Sequence, residues 1–134
     1  AREKWSGEWF RCTHGKLKLK CGDDSEGERV DIDMQTFQEY CSTQRDDVPL
    51  YVFDEEFGAE DHPTHKLLQD FVVPPYFEED LFQYLDQDRP PFRWILMGPR
   101  RSGSSIHIDP CGTAAWNSLV TGRKRWVLFP PGTP

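Results

Sequence analysis

The tripeptide His107-Ile108-Asp109 contains the residue types that point most directly to chemistry. Residues two apart on a β-strand project from the same face, so this imidazole and this carboxylate can bind one cation together. The pattern is short and therefore weak by itself, since a hydrogen-bonded histidine in a protein core gives the same letters. The spacing predicts a metal site with His107 and Asp109 as ligands, and a structural histidine is the alternative.

Lys124 is a second candidate, because it lies in the strand-like run from Arg123 to Phe129. Strand alternation places Lys124 on one face with Trp126 and Leu128, and the two arginines of the run on the other. An ammonium group on a buried apolar face needs an anionic partner, although a lysine can also extend its charge into solvent. A histidine and an aspartate as ligands, with a lysine to hold a carboxylate, are parts of a two-histidine, one-carboxylate iron site that uses a keto acid.

The segment after residue 90 must position these side chains, and its pattern is typical of β-structure. Short apolar runs alternate there with glycine and proline turns. The predicted strands are 92–97, 105–109, 115–120 and 123–129. Four strands without long helices between them favour an antiparallel sandwich or barrel. Because four strands do not close a barrel, we expect this chain to be part of a larger domain.

The first 70 residues are predicted to mix helices and strands. The predicted strands are 9–12, 16–20, 29–32 and 50–53. Asp33 can cap a helix that runs to about Gln44, with Met34 and Phe37 on its apolar face. Short helical segments are predicted at 66–70 and 78–85, and in the second the side chains expected to face inward are Phe77, Leu81 and Tyr84 or Leu85.

Charge is distributed unevenly along the 134 residues, whose net charge is −7. Residues 1–92 carry 10 basic and 22 acidic side chains, a net charge of −12, whereas residues 93–134 carry 6 basic and 1 acidic, a net charge of +5. The acidic part disfavours nucleic-acid binding, because phosphate contacts supply most of that affinity. It suits a basic peptide, and a solvated acidic face is the alternative.

The sequence shows no apolar run long enough to cross a membrane, and its start is not an apolar signal region. Its four cysteines form no C-x-x-C pair. We therefore expect a soluble intracellular protein with reduced thiols and no membrane partner.

From about Tyr40 to Pro134 the sequence carries a series of short blocks. They are Phe71-Val72-Val73-Pro74, Asp80-Leu81-Phe82-Gln83-Tyr84, Arg89-Pro90-Pro91-Phe92-Arg93-Trp94, Met97-Gly98-Pro99, Arg101-Ser102-Gly103, Ile106-His107-Ile108-Asp109-Pro110, Gly112-Thr113-Ala114-Ala115-Trp116-Asn117 and Gly122-Arg123-Lys124-Arg125-Trp126. The series resembles the JmjC dioxygenases, and within them the phosphatidylserine-receptor-like branch, which comprises the bifunctional arginine demethylase and lysyl hydroxylase and its F-box-containing relatives. A string of blocks in order is far more specific than His-x-Asp alone.

The resemblance implies a mainly β fold with N-terminal α/β elements. Residues 1–70 would lead into a JmjC domain, and residues 71–134 would form the first part of its double-stranded β-helix, a jelly roll of the cupin type. The C-terminal strands of that β-helix would be missing from this chain.

The resemblance also implies a ligand set. His107 and Asp109 match the first two iron ligands of the family, and Lys124 matches the residue that pairs with the distal carboxylate of 2-oxoglutarate. Further contacts to this cosubstrate are implied for Asn117, for Ser104, where the family usually has threonine, and for Tyr51. Each has a structural alternative, as a turn cap, a loop residue and a core residue respectively.

The third iron ligand of the family is a histidine on a later strand, which we expect beyond position 134. The remaining histidines, His14, His62 and His65, match nothing in the family pattern. The closely spaced His62 and His65 are expected to lie in an exposed loop.

The implied activity is that of an Fe(II)- and 2-oxoglutarate-dependent hydroxylase or demethylase acting on lysine or methylarginine side chains of a basic protein or peptide, in the nucleus or cytoplasm. The alternative is a non-catalytic cupin-like interaction module. Such a module has no reason to keep His107, Asp109 and Lys124 together. An RNA-binding scaffold is disfavoured by the acidic residues 1–92.

Overall fold

A computed structural model describes residues 4–133 of the chain, which form two helices, two small sheets and short 3₁₀ turns. The helices and strands are, in chain order, α1 (Gly7–His14), β1 (Lys18–Asp23), β2 (Arg29–Asp33), α2 (Met34–Thr43), β3 (Val52–Asp54) and β4 (Ile95–Met97). The 3₁₀ turns are His65–Asp70, Pro75–Phe77, Leu81–Asp88 and Pro110–Gly112. None of the helices in this described part is long and apolar enough to cross a membrane.

Each sheet is an antiparallel pair. Strands β1 and β2 form a hairpin in which Leu19 lies opposite Ile32. Strands β3 and β4 pair with Val52 opposite Met97. Strand β1 contacts β3, and α1 packs against α2. The two strand pairs and the two helices therefore enclose one core.

Helix α2 confirms the predicted cap. The Asp33 side chain accepts a hydrogen bond from the Thr36 backbone N–H at 2.9 Å, which satisfies one of the free donors at the start of the helix. Met34 and Phe37 are buried, as the periodicity predicts.

Helix α1 corrects a prediction, because residues 9–12 were expected to form a strand. The Ser6 side chain accepts a hydrogen bond from the Trp9 backbone N–H at 3.0 Å, and Glu8 lies in the first turn. A serine cap and an acidic first turn stabilise a helix there, and they outweigh the β-propensity of the aromatic pair. The helix buries Phe10 in the core.

The buried apolar side chains of the described residues all lie between positions 5 and 95. They are Trp5, Phe10, Leu19, Cys21, Met34, Phe37, Val52, Phe57, Leu67 and Ile95. Asp54 is buried among them with 0% exposure. Its carboxylate accepts hydrogen bonds from Lys20 N at 2.9 Å, Glu56 N at 3.0 Å and Arg29 Nη2 at 3.1 Å. These bonds satisfy the buried charge and tie the hairpin to β3.

The prediction of an inward-facing helical segment at 78–85 is wrong. The segment contains 3₁₀ turns, and Phe77, Leu81, Tyr84 and Leu85 are all exposed. Phe77 stacks on Trp116 with ring centroids 5.4 Å apart, which gives it an aromatic neighbour outside the core.

The predicted strands at 105–109, 115–120 and 123–129 do not form, and of 92–97 only Ile95–Met97 is a strand. A strand is stabilised by hydrogen bonds to a neighbour, and the described residues provide none for these segments. Most of their apolar side chains are accordingly exposed, including Ile108 at 89% and Leu128 at 84%, while Val120 is partly buried against the core. The expected part of a jelly roll is therefore absent from residues 4–133.

Candidate functional site

His107 and Asp109 lie side by side in an extended, solvent-accessible segment. The Nε2 atom of His107 is 3.3 Å from Oδ1 of Asp109, and both side chains are about half exposed. On its other side the ring contacts the Ser105 carbonyl oxygen, 2.7 Å from Nδ1. Because a carbonyl oxygen only accepts hydrogen bonds, Nδ1 donates to the Ser105 carbonyl, and Nε2 is the ring nitrogen that faces the Asp109 carboxylate.

This arrangement fits part of a metal site. An imidazole nitrogen and a carboxylate oxygen are suitable ligands for Fe(II) and similar divalent ions, and a backbone carbonyl that orients the ring is common behind such ligands. Among residues 4–133, however, no group of three or more histidine, cysteine or acidic side chains could hold a metal. The described residues therefore fit two of the three protein positions of an iron site.

Two other predicted site residues meet although they are 53 positions apart. The phenol oxygen of Tyr51 is 3.1 Å from the hydroxyl oxygen of Ser104. Tyr51 immediately precedes β3, and β3 pairs with β4, which brings the segment after β4 back to Tyr51. Two hydroxyl groups at this distance can both donate to one carboxylate.

Gly98, directly after β4, makes this approach possible. A Cβ atom at this position would lie 2.8 Å from Cβ of Tyr51 and would overlap the Ser102 hydroxyl. Real Cβ contacts are not this short, so only glycine fits between the tyrosine and the turn that follows.

Lys124 and Asn117 lie apart from these pairs. The Lys124 ammonium is 4.3 Å from the centroid of the Trp126 ring, which is a cation–π contact. The two side chains therefore lie on the same side of the chain, as predicted, although no strand forms there. Its predicted burial does not occur, because Lys124 and Asn117 are exposed. Within residues 4–133 no hydrogen bond or ion pair connects them to Tyr51 or to the His107–Asp109 pair.

His62 and His65 have structural contacts and are half-buried, where an exposed loop was expected. Nδ1 of His62 is 2.5 Å from the hydroxyl oxygen of Thr64, which is itself fully buried, and Nδ1 of His65 is 2.9 Å from the Gly58 carbonyl oxygen. These bonds order the loop after β3, and neither ring approaches the candidate metal ligands through a contact in the described structure.

Arg101 is a residue that the sequence analysis did not single out. Its guanidinium donates to the Asp46 carbonyl oxygen at 2.5 Å and lies 3.4 Å from the Asp47 carboxylate. The available signal was its place in the block Arg101-Ser102-Gly103, shortly before Ser104.

Comparison with known proteins identifies relatives along the whole chain, while no family model matches it. The chain is 51% identical over its full length to the bifunctional arginine demethylase and lysyl-hydroxylase psr-1 of Caenorhabditis briggsae, of which it covers 34%. It is 44% identical over 98% of its length to the lysine-specific demethylase JMJ21 of Arabidopsis thaliana, covering 14% of that protein. A shorter match, 41% identical over 46% of the chain, is to the human 2-oxoglutarate and iron-dependent oxygenase JMJD4, of which it covers 15%.

The chain thus spans about a third or less of the length of these curated relatives. Identity at this level over the whole chain reflects common ancestry. The blocks quoted above agree with that relationship. The resemblance to JmjC proteins is thus confirmed by similarity along the whole chain to the psr-1 and JMJ21 proteins.

Proposed function

We propose that this chain is part of an Fe(II)- and 2-oxoglutarate-dependent dioxygenase that hydroxylates or demethylates lysine or methylarginine side chains of a basic protein. The observation that carries the proposal is the identity over the whole chain to relatives named for these activities. Within that region, the two side chains that match iron ligands are 3.3 Å apart.

In this proposal His107 and Asp109 hold the iron. The Ser105 carbonyl accepts the Nδ1 hydrogen of His107 and so keeps Nε2 available as the ligand atom. When iron, 2-oxoglutarate and dioxygen are bound, they supply the oxidation of a substrate C–H bond, with succinate and carbon dioxide as the other products. A third ligand, which residues 4–133 do not provide, is then required from a further segment of the protein.

The cosubstrate is held by its carboxylate groups. The hydroxyls of Tyr51 and Ser104 are already within hydrogen-bond distance of each other, and both can donate to one carboxylate. Lys124 would add a positive charge, and Asn117 an amide donor. For this, the segment with Lys124 and Asn117 must pack over the Tyr51–Ser104 pair. We propose that in the full-length protein residues 71–134 do so as the first strands of a β-helix, where further strands provide the pairing partners that 105–109, 115–120 and 123–129 lack among residues 4–133.

The charge of the chain supports a basic substrate. Residues 1–92 have a net charge of −12, and many of their carboxylates are exposed. A field of this sign attracts lysine- and arginine-rich peptides and repels nucleic acid.

Substitution of the two proposed ligands in the full-length protein tests the function. His107→Ala and Asp109→Ala should each abolish 2-oxoglutarate-dependent succinate formation, because a missing ligand prevents correct coordination. Anaerobic titration with Mn(II), followed by calorimetry, should show the loss of metal binding directly. His14→Ala is the matched control, since His14 packs beside Trp9 and Phe10 in the N-terminal part.

Near wild-type succinate formation in either ligand variant would remove the iron assignment. A wild-type protein that binds neither Mn(II) nor 2-oxoglutarate would favour the non-catalytic cupin-like module.

A further inference from the structure

The turn that follows β4 is held by contacts that the proposed function does not use. Ser102 donates from both its backbone N–H and its hydroxyl to the Pro99 carbonyl oxygen, at 3.3 and 2.8 Å. Arg101 lies in this turn with φ at +78°, the left-handed region that glycine adopts readily and most L-residues avoid. The surrounding contacts must offset the backbone cost at this position, and those of the arginine side chain are among them.

The Arg101 side chain connects the turn to the segment that precedes β3. Nη2 donates to the Asp46 carbonyl oxygen at 2.5 Å, and Nη1 is 3.4 Å from Oδ1 of Asp47. The Asp47 side chain is fully exposed, so that ion pair contributes little. The bond to the Asp46 carbonyl is short and charge-assisted, and it is therefore the main attachment.

The acceptor of that bond is itself fixed to the core. The Tyr40 hydroxyl donates to the Asp46 carboxylate at 2.6 Å and accepts from the Leu50 backbone N–H at 2.9 Å. Tyr40 projects from α2 and packs against the core. Since Leu50 is next to Tyr51, the Tyr40 hydroxyl connects the residue that supplies the Asp46 carbonyl to the residue before the Tyr51 phenol.

We infer that Arg101 is a positioning residue for the Tyr51–Ser104 hydroxyl pair, an inference that rests on the function proposed above. By bonding the 99–102 turn to Asp46, Arg101 holds Ser104 where its hydroxyl lies 3.1 Å from the Tyr51 phenol. The two hydroxyls are then preorganised for one carboxylate of 2-oxoglutarate, so less ordering is required when the cosubstrate binds. Arg101 acts on cosubstrate affinity through Ser104 and does not itself contact the reacting atoms.

The test compares three variants of the full-length protein. Arg101→Asn removes the guanidinium but keeps a residue that tolerates left-handed φ, so it isolates the side-chain bonds from backbone strain. Arg101→Lys keeps the charge and a donor. Arg100→Asn is the matched control, because it makes the same change at the exposed neighbouring position.

Two measurements are made on each variant. The 2-oxoglutarate dependence of succinate formation gives KM and kcat separately, and amide hydrogen exchange reports the order of residues 100–105. For Arg101→Asn we expect KM for 2-oxoglutarate to rise about 5- to 20-fold, with kcat and Mn(II) affinity unchanged and with faster exchange in the turn. Arg101→Lys should recover part of the affinity, and Arg100→Asn should match the wild type.

An unchanged KM in Arg101→Asn would overturn the inference, whether or not exchange in the turn becomes faster. A fall in kcat and Mn(II) affinity along with KM would overturn it too, since that pattern indicates general disruption. An equal rise of KM in Arg100→Asn would show that surface charge, and not positioning, attracts the anion. Failure of the proposed function is recognised separately, because the wild-type protein itself would then neither bind nor consume 2-oxoglutarate.

Discussion

Residues 4–97 and residues 98–133 differ in how their apolar side chains are used. Every fully buried apolar side chain of the described residues lies in the first region, most of them on its helices and paired strands, and even a carboxylate there, that of Asp54, is fully enclosed and bonded. In the second region Ile106, Trp126 and Leu128 are exposed, yet most of the candidate ligands lie there. A helix closes its hydrogen bonds within its own segment, whereas a strand depends on a neighbour. Stability and proposed chemistry are thus separated along this chain.

The largest expected difference is in the free energy of unfolding, when the same leucine-to-alanine change is made in each of the two regions. Leu19→Ala, at a side chain with 0% exposure in β1, should lower the free energy of unfolding by about 2–5 kcal/mol, because it opens a cavity in the core. Leu128→Ala, at 84% exposure, should change it by no more than about 0.5 kcal/mol. Urea denaturation of the 134-residue chain measures both. Equal losses would mean that the second region also has a packed core.

Lys124→Ala should affect cosubstrate binding and leave the stability of the fold unchanged, the reverse of what we expect for Leu19→Ala. In the full-length protein the apparent affinity for 2-oxoglutarate should fall by roughly 10- to 200-fold, the effect of losing a charge-assisted bond of about 1.5–3 kcal/mol. Lys124→Arg should also bind poorly, because the planar guanidinium is larger than an ammonium. Cosubstrate titrations that are the same for both variants and the wild type would exclude Lys124 from the site.

Gly98→Ala tests the boundary between the two regions. The added methyl group would lie 2.8 Å from Cβ of Tyr51, so we expect a loss of about 1–3 kcal/mol in unfolding free energy and displacement of the following turn. The environment of Tyr51, followed by its NMR ring resonances, should change with it. Gly22→Ala in β1, where φ is +95° and a Cβ would meet nothing within 4 Å, is the control, because it strains the backbone without a steric overlap. A similar shift of Tyr51 in that control would contradict the steric explanation.

The smallest effect is expected from pH. The Trp5 indole donates to the Asp70 carboxylate at 2.7 Å and Lys4 lies 2.9 Å away, and these contacts lower the pKa of Asp70 below its ordinary value. A depressed carboxyl pKa in the folded state stabilises the fold above the ordinary pKa, and this contribution disappears as pH falls to the folded value. Asp70→Asn should therefore flatten the decline of Tm as the pH falls below about 5. Asp61→Asn removes an exposed carboxylate in the same way. If it flattens the decline of Tm equally, the effect comes from the net charge of the protein and not from the Asp70 contacts.

Elements that depend on nearby residues were predictable from the sequence. The Asp33 cap lies three residues from the amide it accepts, and the β1–β2 hairpin is closed by a short glycine-containing turn. Helix α1 was missed because its aromatic residues favour a strand while a serine outside the predicted segment caps a helix. Too many strands were predicted after residue 98. The alternation of apolar and polar residues shows which side chains a strand would bury, but it does not show whether a neighbouring strand is available for pairing.

For the candidate site, too, contacts between nearby residues were predictable and contacts between distant residues were not. His107 and Asp109 are two residues apart, and spacing alone is enough to bring them together. The Tyr51–Ser104 contact spans 53 residues, and only the family resemblance indicated both residues beforehand. Arg101 acts through a backbone carbonyl of Asp46, a partner that no side-chain pattern can reveal.

The contacts of the buried Asp54 carboxylate predict that two kinds of mutant allele will differ in their temperature dependence. It joins the β1–β2 hairpin to β3, and Tyr51 is only three residues away, so loosening the hairpin would disturb Tyr51 before the protein unfolds as a whole. Alleles that weaken the hairpin, such as changes at Arg29, would then be temperature-sensitive for activity. Under the proposed function, alleles at His107 or Asp109 would be inactive at every temperature.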